Sequence, residues 1–494
     1  MNTEPEEIKP REETADGHHY FTISEFRHEL KLPLVIASKF LNSGIIEIER
    51  TSDGLIHITE DELNEAKDIL KHPWTKAKIF FKVLGPGIIT GAADDDPSGI
   101  GTYSTVGAQF GFGLIWLAPW LLPLMTAVQE ACARIGIVTN KGLSGVLLKH
   151  YKRWIVFGIV GLLIIANVAN IGADISAMTA AIRLLAPVNF TITAIVLTAV
   201  IILLEIFVPY RLYAKILKWL ALSLFAYIIT GFIIHPDWMR IFREALVPQM
   251  EFNKTYLFAI IAVFGTTISP YLFFWQTSEE VEEKKSEDKL DSFGHKIKNK
   301  LVDRITHMRT DVRTGMVFAN VTFFFIVLTT AKVLNGNGVF GIESAEQAAL
   351  ALKPLAGDQA FLLFTLGILG TGLLAIPVLA GSGAYALSEL MHWREGLNNK
   401  FTRAKAFYMV ITLSIIVGLL INFIGINPMK ALYYSAWLNG VISIPLLFVI
   451  MVIGNNKGIM GRETHPMWVK IFGWAAFAFA ATCILATIYL GFAK

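Results

Sequence analysis

Charge is scarce in this chain. Asp, Glu, Lys and Arg make up 17% of its 494 residues, while 54% are hydrophobic. Soluble chains carry about 25% charged residues, so the balance excludes a soluble enzyme and indicates a polytopic membrane protein. The net charge of +3 is too small to call for a nucleic-acid partner. Cysteine is nearly absent. Cys132 and Cys483 lie in different apolar segments, so no disulfide framework is expected, and the redox compartment stays open. No G-x-x-x-x-G-K-[ST] run occurs, so ATP-driven pumping has no support. The N-terminal region is too polar for a signal peptide. Histidine is missing from the apolar stretches: all eleven fall in the tail, the loops or the helix ends.

What is there is a series of long hydrophobic runs. They lie near 82–108, 114–137, 154–180, 190–208, 217–235, 255–276, 315–334, 360–381, 405–425, 430–453 and 470–490. Each is close to the roughly 20 residues that span a bilayer, so about eleven transmembrane helices are expected. With the N-terminus in the cytosol, most loop Lys and Arg fall inside, as the positive-inside rule asks. Lys149, Lys152 and Arg153, and later Arg394, Lys400, Arg403 and Lys405, are examples. The C-terminus then lies outside, and a plasma-membrane location is expected. Oligomeric state is not legible.

Before the spans, residues 1–20 read as a disordered tail and 21–78 as a small cytosolic α+β module. Ser52-Asp53-Gly54 marks a hairpin turn. Thr59 caps a helix over EDELNEAKDILK, with acids in its first turn. No chemical motif appears there, so docking or regulation is expected. Residues 79–494 form the membrane domain. Its loop 277–314 is mixed in charge and reads as a solvated cytosolic helix, with acid-to-base pairs such as Glu280–Lys284.

Within the first span, Asp94, Asp95 and Asp96 follow one another, and Pro97, Gly99 and Gly101 come directly after. A carboxylate at membrane depth costs about 2.5–3.5 kcal/mol on insertion scales. Such a cost is kept where a charge has a function, and the pattern points to a cation site on a broken helix. Span six is interrupted as well, at Gly265, Thr266, Thr267, Ser269 and Pro270. Proline frees the carbonyl four residues back. Free carbonyls at membrane depth need protein or a water-filled cavity around them. A lone Pro270 reads as a kink. Paired with the Asp96-Pro97 break, at the first helix of two five-helix halves, it marks a transporter site.

These residues resemble the natural-resistance-associated macrophage protein (NRAMP) family of divalent-metal transporters. Gly85-Pro86-Gly87, eight residues, then Asp96-Pro97-Ser98-Gly99 is similar to that family's first helix. Gly107 to Gly111 and QEACARIGIVTNKGL at 129–143 extend the likeness, and Thr266-Thr267-Ile268-Ser269-Pro270-Tyr271 matches its sixth-helix motif. The resemblance implies a LeuT-type inverted repeat with broken helices 1 and 6, working by alternating access. It implies no cofactor; the metal ion is the cargo. It also implies that Asp96 and backbone carbonyls, Ala93 among them, hold the ion.

The departures from the family pattern carry the chemistry. Its first-helix asparagine is Gly99 here and its sixth-helix methionine is Ser269. Thioether ligands favour softer metals, whereas carboxylate, carbonyl and water suit magnesium, calcium and manganese. Losing two side-chain ligands leaves room for water, which magnesium tends to keep. Asp94 and Asp95 are added carboxylates; not all three can face one point, so one binds through water or lines the access path. Thr266 joins the candidate ligands, and Thr90 and Thr267 are either helix-bonding hydroxyls or polar neighbours of the ion. The pattern resembles the magnesium-transporting branch of the family, with manganese also passed.

Proton coupling is expected to be weak or absent. The sixth-helix histidine is replaced by Tyr271, and the third-helix glutamate by Asn167. Asp174 is retained, either as a proton relay or as a structural partner of Asn170. Asn439 in span ten is a further polar candidate. Glu130 is expected to pair with Arg134, and Glu205 to snorkel to the interface. Trp116, Trp120, Trp219 and Trp437 read as interface anchors or packing. Two other readings stay open. One is a proton-coupled Mn2+/Fe2+ symporter. The other is a LeuT-type amino-acid carrier, whose substrate carboxylate three aspartates would repel.

Overall fold

The structure is a computed structural model that describes residues 26, 28–30, 58–71, 86–208, 222–291, 301–397 and 399–492. Among these residues there is no strand, and nine helical stretches are long and apolar enough to cross a bilayer. The chain divides into two units. One holds Met1–Gly85 with Glu283–Asp311, the other Pro86–Glu282 with Val312–Lys494.

In the first unit, α1 (Glu60–Lys71) starts on a reciprocal cap. Glu62 N donates to Thr59 Oγ1 at 3.2 Å, and Thr59 N donates to Glu62 Oε2 at 2.7 Å. The threonine and the third helical residue thereby satisfy two orphan donors at once. The expected hairpin at Ser52-Asp53-Gly54 and the tail lie outside the described residues.

The second unit opens with a helix broken in two, α2 (Pro86–Asp94) and α3 (Pro97–Phe110). Then come α4 (Leu117–Thr139), α5 (Leu143–His150), α6 (Arg153–Leu185), α7 (Phe190–Phe207) and α8 (Phe225–Ile233). A short α9 (Trp238–Leu246) leads to the second broken helix, α10 (Lys254–Thr267) and α11 (Pro270–Asp291). Beyond it run α12 (Leu301–Val333), α13 (Ala345–Ala349), α14 (Ala360–Met391), α15 (Lys405–Ile421), α16 (Pro428–Asn455) and α17 (Met467–Phe492). The 277–314 stretch, read as a solvated loop helix, instead continues the helices on either side: α11 runs to Asp291 and α12 begins at Leu301. Glu280 is buried and accepts from Gln276 Nε2 at 2.9 Å.

Without a hydrophobic drive between helices in lipid, packing relies on close approach at small residues. Both broken helices use it. An ideal Cβ on Gly265 of α10 would lie 2.0 Å from the Ala436 carbonyl oxygen of α16, and one on Gly91 of α2 would lie 2.2 Å from the Gly315 oxygen of α12. On Gly107 of α3 it would fall 2.0 Å from Thr330 Oγ1 and 2.7 Å from the Val327 oxygen. Only glycine lets these backbones meet.

Several expected partners are found, and one is corrected. Arg134 donates to Glu130 at 3.0 Å with both side chains buried, and Arg134 also lies 3.7 Å from Glu463. Cys132 and Cys483 are both free and buried. Glu205 does not snorkel: it is buried on α7, close to Tyr408 of α15. Trp116 is buried and donates to Tyr256 Oη at 3.2 Å, and Trp437 stacks on Phe258 at 5.1 Å. Trp120 is exposed, as an anchor would be. Trp219 lies outside the described residues.

The turn between α16 and α17 buries His465. Its backbone N–H donates to the Gly454 carbonyl at 3.0 Å, and neither ring nitrogen has a hydrogen-bond partner. Burial first, then the nearby Arg134 and Lys470, push its pKa down from 6.5 to about 3. The folded protein therefore holds this ring neutral, while the unfolded chain takes up a proton below pH 6.5. The stability involved is fully present above that pH and falls by about 1.4 kcal/mol for each unit of acidification down toward pH 3. Thermal midpoints in detergent should drop between neutral pH and pH 5, and His465→Gln should flatten that slope.

Candidate metal site at the two helix breaks

Asp96 is the hinge of the first break. It is extended, at φ −67° and ψ 173°, and acts as N-cap of α3, with Pro97 at the first helical position. Its Oδ1 accepts from Gly99 N at 2.7 Å and from Ser98 Oγ at 2.6 Å. Capping aspartate and N1 proline together are a strong local start signal. Its Oδ2 turns toward other helices, accepting from Asn170 Nδ2 of α6 at 2.9 Å and, more loosely, from Tyr271 Oη of α11 at 3.4 Å. A carboxylate offers about four lone-pair sites. Each oxygen accepts two bonds, and the 3.4 Å contact from Tyr271 to Oδ2 is the longest of the four, so Oδ2 is the atom an ion would meet at least cost.

The second break faces the first. The helix of α10 stops at Thr267 and resumes at Pro270. Thr266 Oγ1 lies 3.4 Å from Ser98 Oγ, and Thr267 Oγ1 lies 3.2 Å from Tyr103 Oη. Tyr271 Oη donates to the Ala93 carbonyl at 3.0 Å, tying the first turn of α11 to the last turn of α2. Ser269 Oγ donates back into its own helix end, to the Gly265 and Thr266 carbonyls at 2.7 and 2.9 Å. Its proton is engaged, while its lone pairs remain for a cation. Thr90 bonds between helices, donating to Gln276 Oε1 at 2.5 Å.

The acidic groups are sealed. Asp94, Asp95, Asp96 and Asp174 are each at most 1% exposed. The side-chain oxygens of Asp94, Asp95 and Asp174 have no hydrogen-bond partner. Thr322 lies beside Asp95 but gives its proton to the Phe318 carbonyl at 3.1 Å. Asp174 lies near Asp96 and beside the Ser98 amide without reaching hydrogen-bond geometry. Buried carboxylates persist as anions only when paired or bound to metal. The donor set thus fits a cation. Among the described residues, however, no three of His, Cys, Asp and Glu converge on one point. The three consecutive aspartates stand where the helix ends: Asp94 closes α2, Asp95 lies in a turn and Asp96 is extended.

Three expectations need adjusting. Asn170 serves Asp96, not Asp174, so the structural bond expected between Asn170 and Asp174 is replaced by one that orients the candidate ligand. Asn167 sits apart from the aspartates, with its amide on the Leu379 carbonyl and Ser382 Oγ of α14, both at 2.8 Å. The room expected at Gly99 is narrow. An added Cβ would lie 3.1 Å from the Asp94 carbonyl oxygen and 3.4 Å from Thr266 Oγ1. The Tyr103 ring, with Cε2 also at 3.4 Å, bounds the same space beside these two hard oxygens. Asn439 of α16 is buried, and neither its oxygen nor its nitrogen has a partner. It adjoins Gly440, whose backbone meets Gly265.

A family model described as natural resistance-associated macrophage protein-like matches residues 87–490, from the first break to the last helix. The chain belongs to this Nramp family. Its curated relatives include the divalent metal cation transporter MntH of Klebsiella pneumoniae subsp. pneumoniae. That protein is 25% identical over 406 residues, covering 81% of this chain and 92% of the relative. MntH of Caldanaerobacter subterraneus subsp. tengcongensis is likewise 25% identical, over 80% of this chain and 90% of its own length. Among solved structures, a manganese transporter of Eremococcus coleocola superposes with a TM-score of 0.64 at 18% identity, covering 83% of this chain and 87% of that one. At that identity the likeness establishes a shared fold. The Nramp chain is thus a multi-pass membrane protein, all-helical among the described residues, with helix breaks at Asp96-Pro97 and Ser269-Pro270.

Proposed function

We propose that this Nramp chain carries divalent metal ions across the plasma membrane by alternating access. Mg2+ is the first substrate, Mn2+ is also admitted, and proton coupling is weak or absent. One observation carries the reading: among the described residues, the hydrogen-bond partners of Asp96 are the Ser98 and Tyr271 hydroxyls, the Gly99 amide and the Asn170 side-chain amide, and a serine stands at position 269 of the second break. Asp96, Ser269, Thr266 and the Ala93 carbonyl are the proposed ligands, and Asp94 and Asp95 act through water or along the access path. An oxygen-only set suits hard ions, and magnesium is commonly held by one or two carboxylates with waters retained. The MntH relatives are divalent metal cation transporters, which supports a metal cargo. The 21–78 module is proposed as a cytosolic docking or regulatory element, with the N-terminus inside and the C-terminus outside.

The proton reading rests on Tyr271. In the position of the family histidine it donates to a backbone carbonyl and to Asp96, and a phenol does not titrate near neutral pH as an imidazole does. In proteoliposomes, excess Mg2+ should slow Mn2+ uptake, and metal influx should acidify the lumen little. Mn2+ uptake indifferent to Mg2+ would favour the Mn2+/Fe2+ symporter. Strong acidification abolished by Asp174→Asn would make Asp174 a proton relay.

A further inference from the structure

Between α8 and α10 the chain makes a short excursion at the edge of the membrane region. Within it, α9 is strongly two-sided. Asp237 caps it, accepting from Arg240 N at 3.1 Å. Ile241 and Ala245 are buried and face the protein, where α9 packs on α4 and on the turn Gly111–Leu114. A different face is apolar and uncovered: Met239 is 80% exposed, Phe242 56% and Leu246 64%. These three stand at helical spacing on one stripe. Arg243 and Arg240 follow next around the helix, both exposed, with Arg240 paired to Glu244 at 2.8 Å.

The occupant of that stripe is identified by its surroundings. The loop begins at Ile233 and returns at Lys254, both at the ends of membrane helices, so α9 stays at the bilayer boundary. The exposed stripe of α8, with Ile229, Phe232 and Ile233, runs into it, and Phe232 meets Trp238 at 5.3 Å. The apolar patch therefore continues a surface that already faces lipid. A two-sided helix with aromatic and aliphatic residues on one side and arginines on its flank is built to lie in the headgroup boundary. The arginine stems cover apolar surface while their heads reach phosphates.

One contact connects this helix to the cation site. The Arg240 guanidinium sits 5.6 Å over the Phe112 ring. Phe112 belongs to the turn that ends α3, and α3 begins at Asp96. Tyr256 Oη donates to the carbonyls of Gly113 in that turn and of Gln249 in the excursion. We infer that α9 lies in the lipid headgroup boundary, with Met239, Phe242 and Leu246 inserted, and ties the outer end of the Asp96-bearing half-helix to the bilayer surface.

The full chain tests this, with Cys132→Ala and Cys483→Ala as background and a single cysteine at position 239, 242, 246 or 251. Each is spin-labelled in vesicles of phosphatidylcholine and phosphatidylglycerol. The three stripe positions should collide several-fold more with oxygen, relative to a soluble nickel chelate, than position 251 does. An equal ratio would put the stripe in water, and weak collision with both reagents would mean that protein covers it; either result overturns the lipid seat. For the tie, Phe242→Asp should slow Mn2+ uptake several-fold while leaving Mn2+ binding by calorimetry unchanged. Met239→Asp, at the more exposed position, repeats the test without loss of any core contact. Unchanged uptake in both would overturn the tie. The labelling is independent of the proposed cargo, and the uptake arm rests on it, so the two failures are distinguishable.

Discussion

Asp96→Ala should abolish saturable binding of Mg2+ and Mn2+ in calorimetric titration and reduce uptake to background. Two effects combine. The Oδ2 atom proposed to meet the ion disappears, and so does the N-cap of α3. Loss of a cap alone costs about 0.5–2 kcal/mol, and it would leave the Ser98 hydroxyl, the Gly99 amide and the Asn170 amide without their acceptor. Asp96→Asn separates the two. Asparagine caps as well as aspartate does, so this variant should stay folded. It removes the charge, and affinity should fall at least about a hundredfold, roughly 2.7 kcal/mol. A folded asparagine variant with unchanged affinity would take Asp96 out of the ligand set.

Ser269→Met should move the preference toward Mn2+ over Mg2+ by about tenfold or more, roughly 1.4 kcal/mol. The serine hydroxyl is buried at the second break and spends its proton on its own helix end. Those carbonyls belong to the last turn of α10, so losing the hydroxyl changes little of the helix. Methionine is flexible enough to fill an irregular space, and it places a soft sulfur where an oxygen stood. Ser269→Leu is the control, since it adds comparable bulk without sulfur. Competition between the two ions in the uptake assay reads all three proteins. An equal shift in the leucine variant would assign the effect to volume, and no shift in the methionine variant would remove position 269 from the coordination sphere.

Both helix breaks were legible because proline and glycine act on the backbone they belong to. Asp96-Pro97 and Ser269-Pro270 interrupt hydrogen bonding wherever the rest of the chain goes. Side-chain partners across helices follow a different logic. Asn170 and Asp174 share one face of α6, yet only the packing of α6 against α3 decides which of them reaches Asp96. Asn167, a turn earlier, meets α14 instead. Glu205 looked like a helix-end acid bound for the interface because α15, which covers it, lies two hundred residues further on. The capping role of Asp96 needed no tertiary information: an aspartate before proline at a helix start announces it. The narrowness at Gly99 did need it, since the atoms that close the space come from Asp94 and from Thr266.

The backbone-to-backbone contacts at Gly91 and Gly265 have a mechanical consequence. Where side chains interlock, one helix moves past another only by unseating each knob from its hole. Where bare peptide surfaces touch, nothing is seated. Two of the four half-helices that meet at the aspartates each rest on such a surface, α2 on α12 and α10 on α16. They are mounted like shafts on plain bearings, free to slide or tilt over a short range with no rotamer to unlock. A methyl group at either would act as a pin through the bearing.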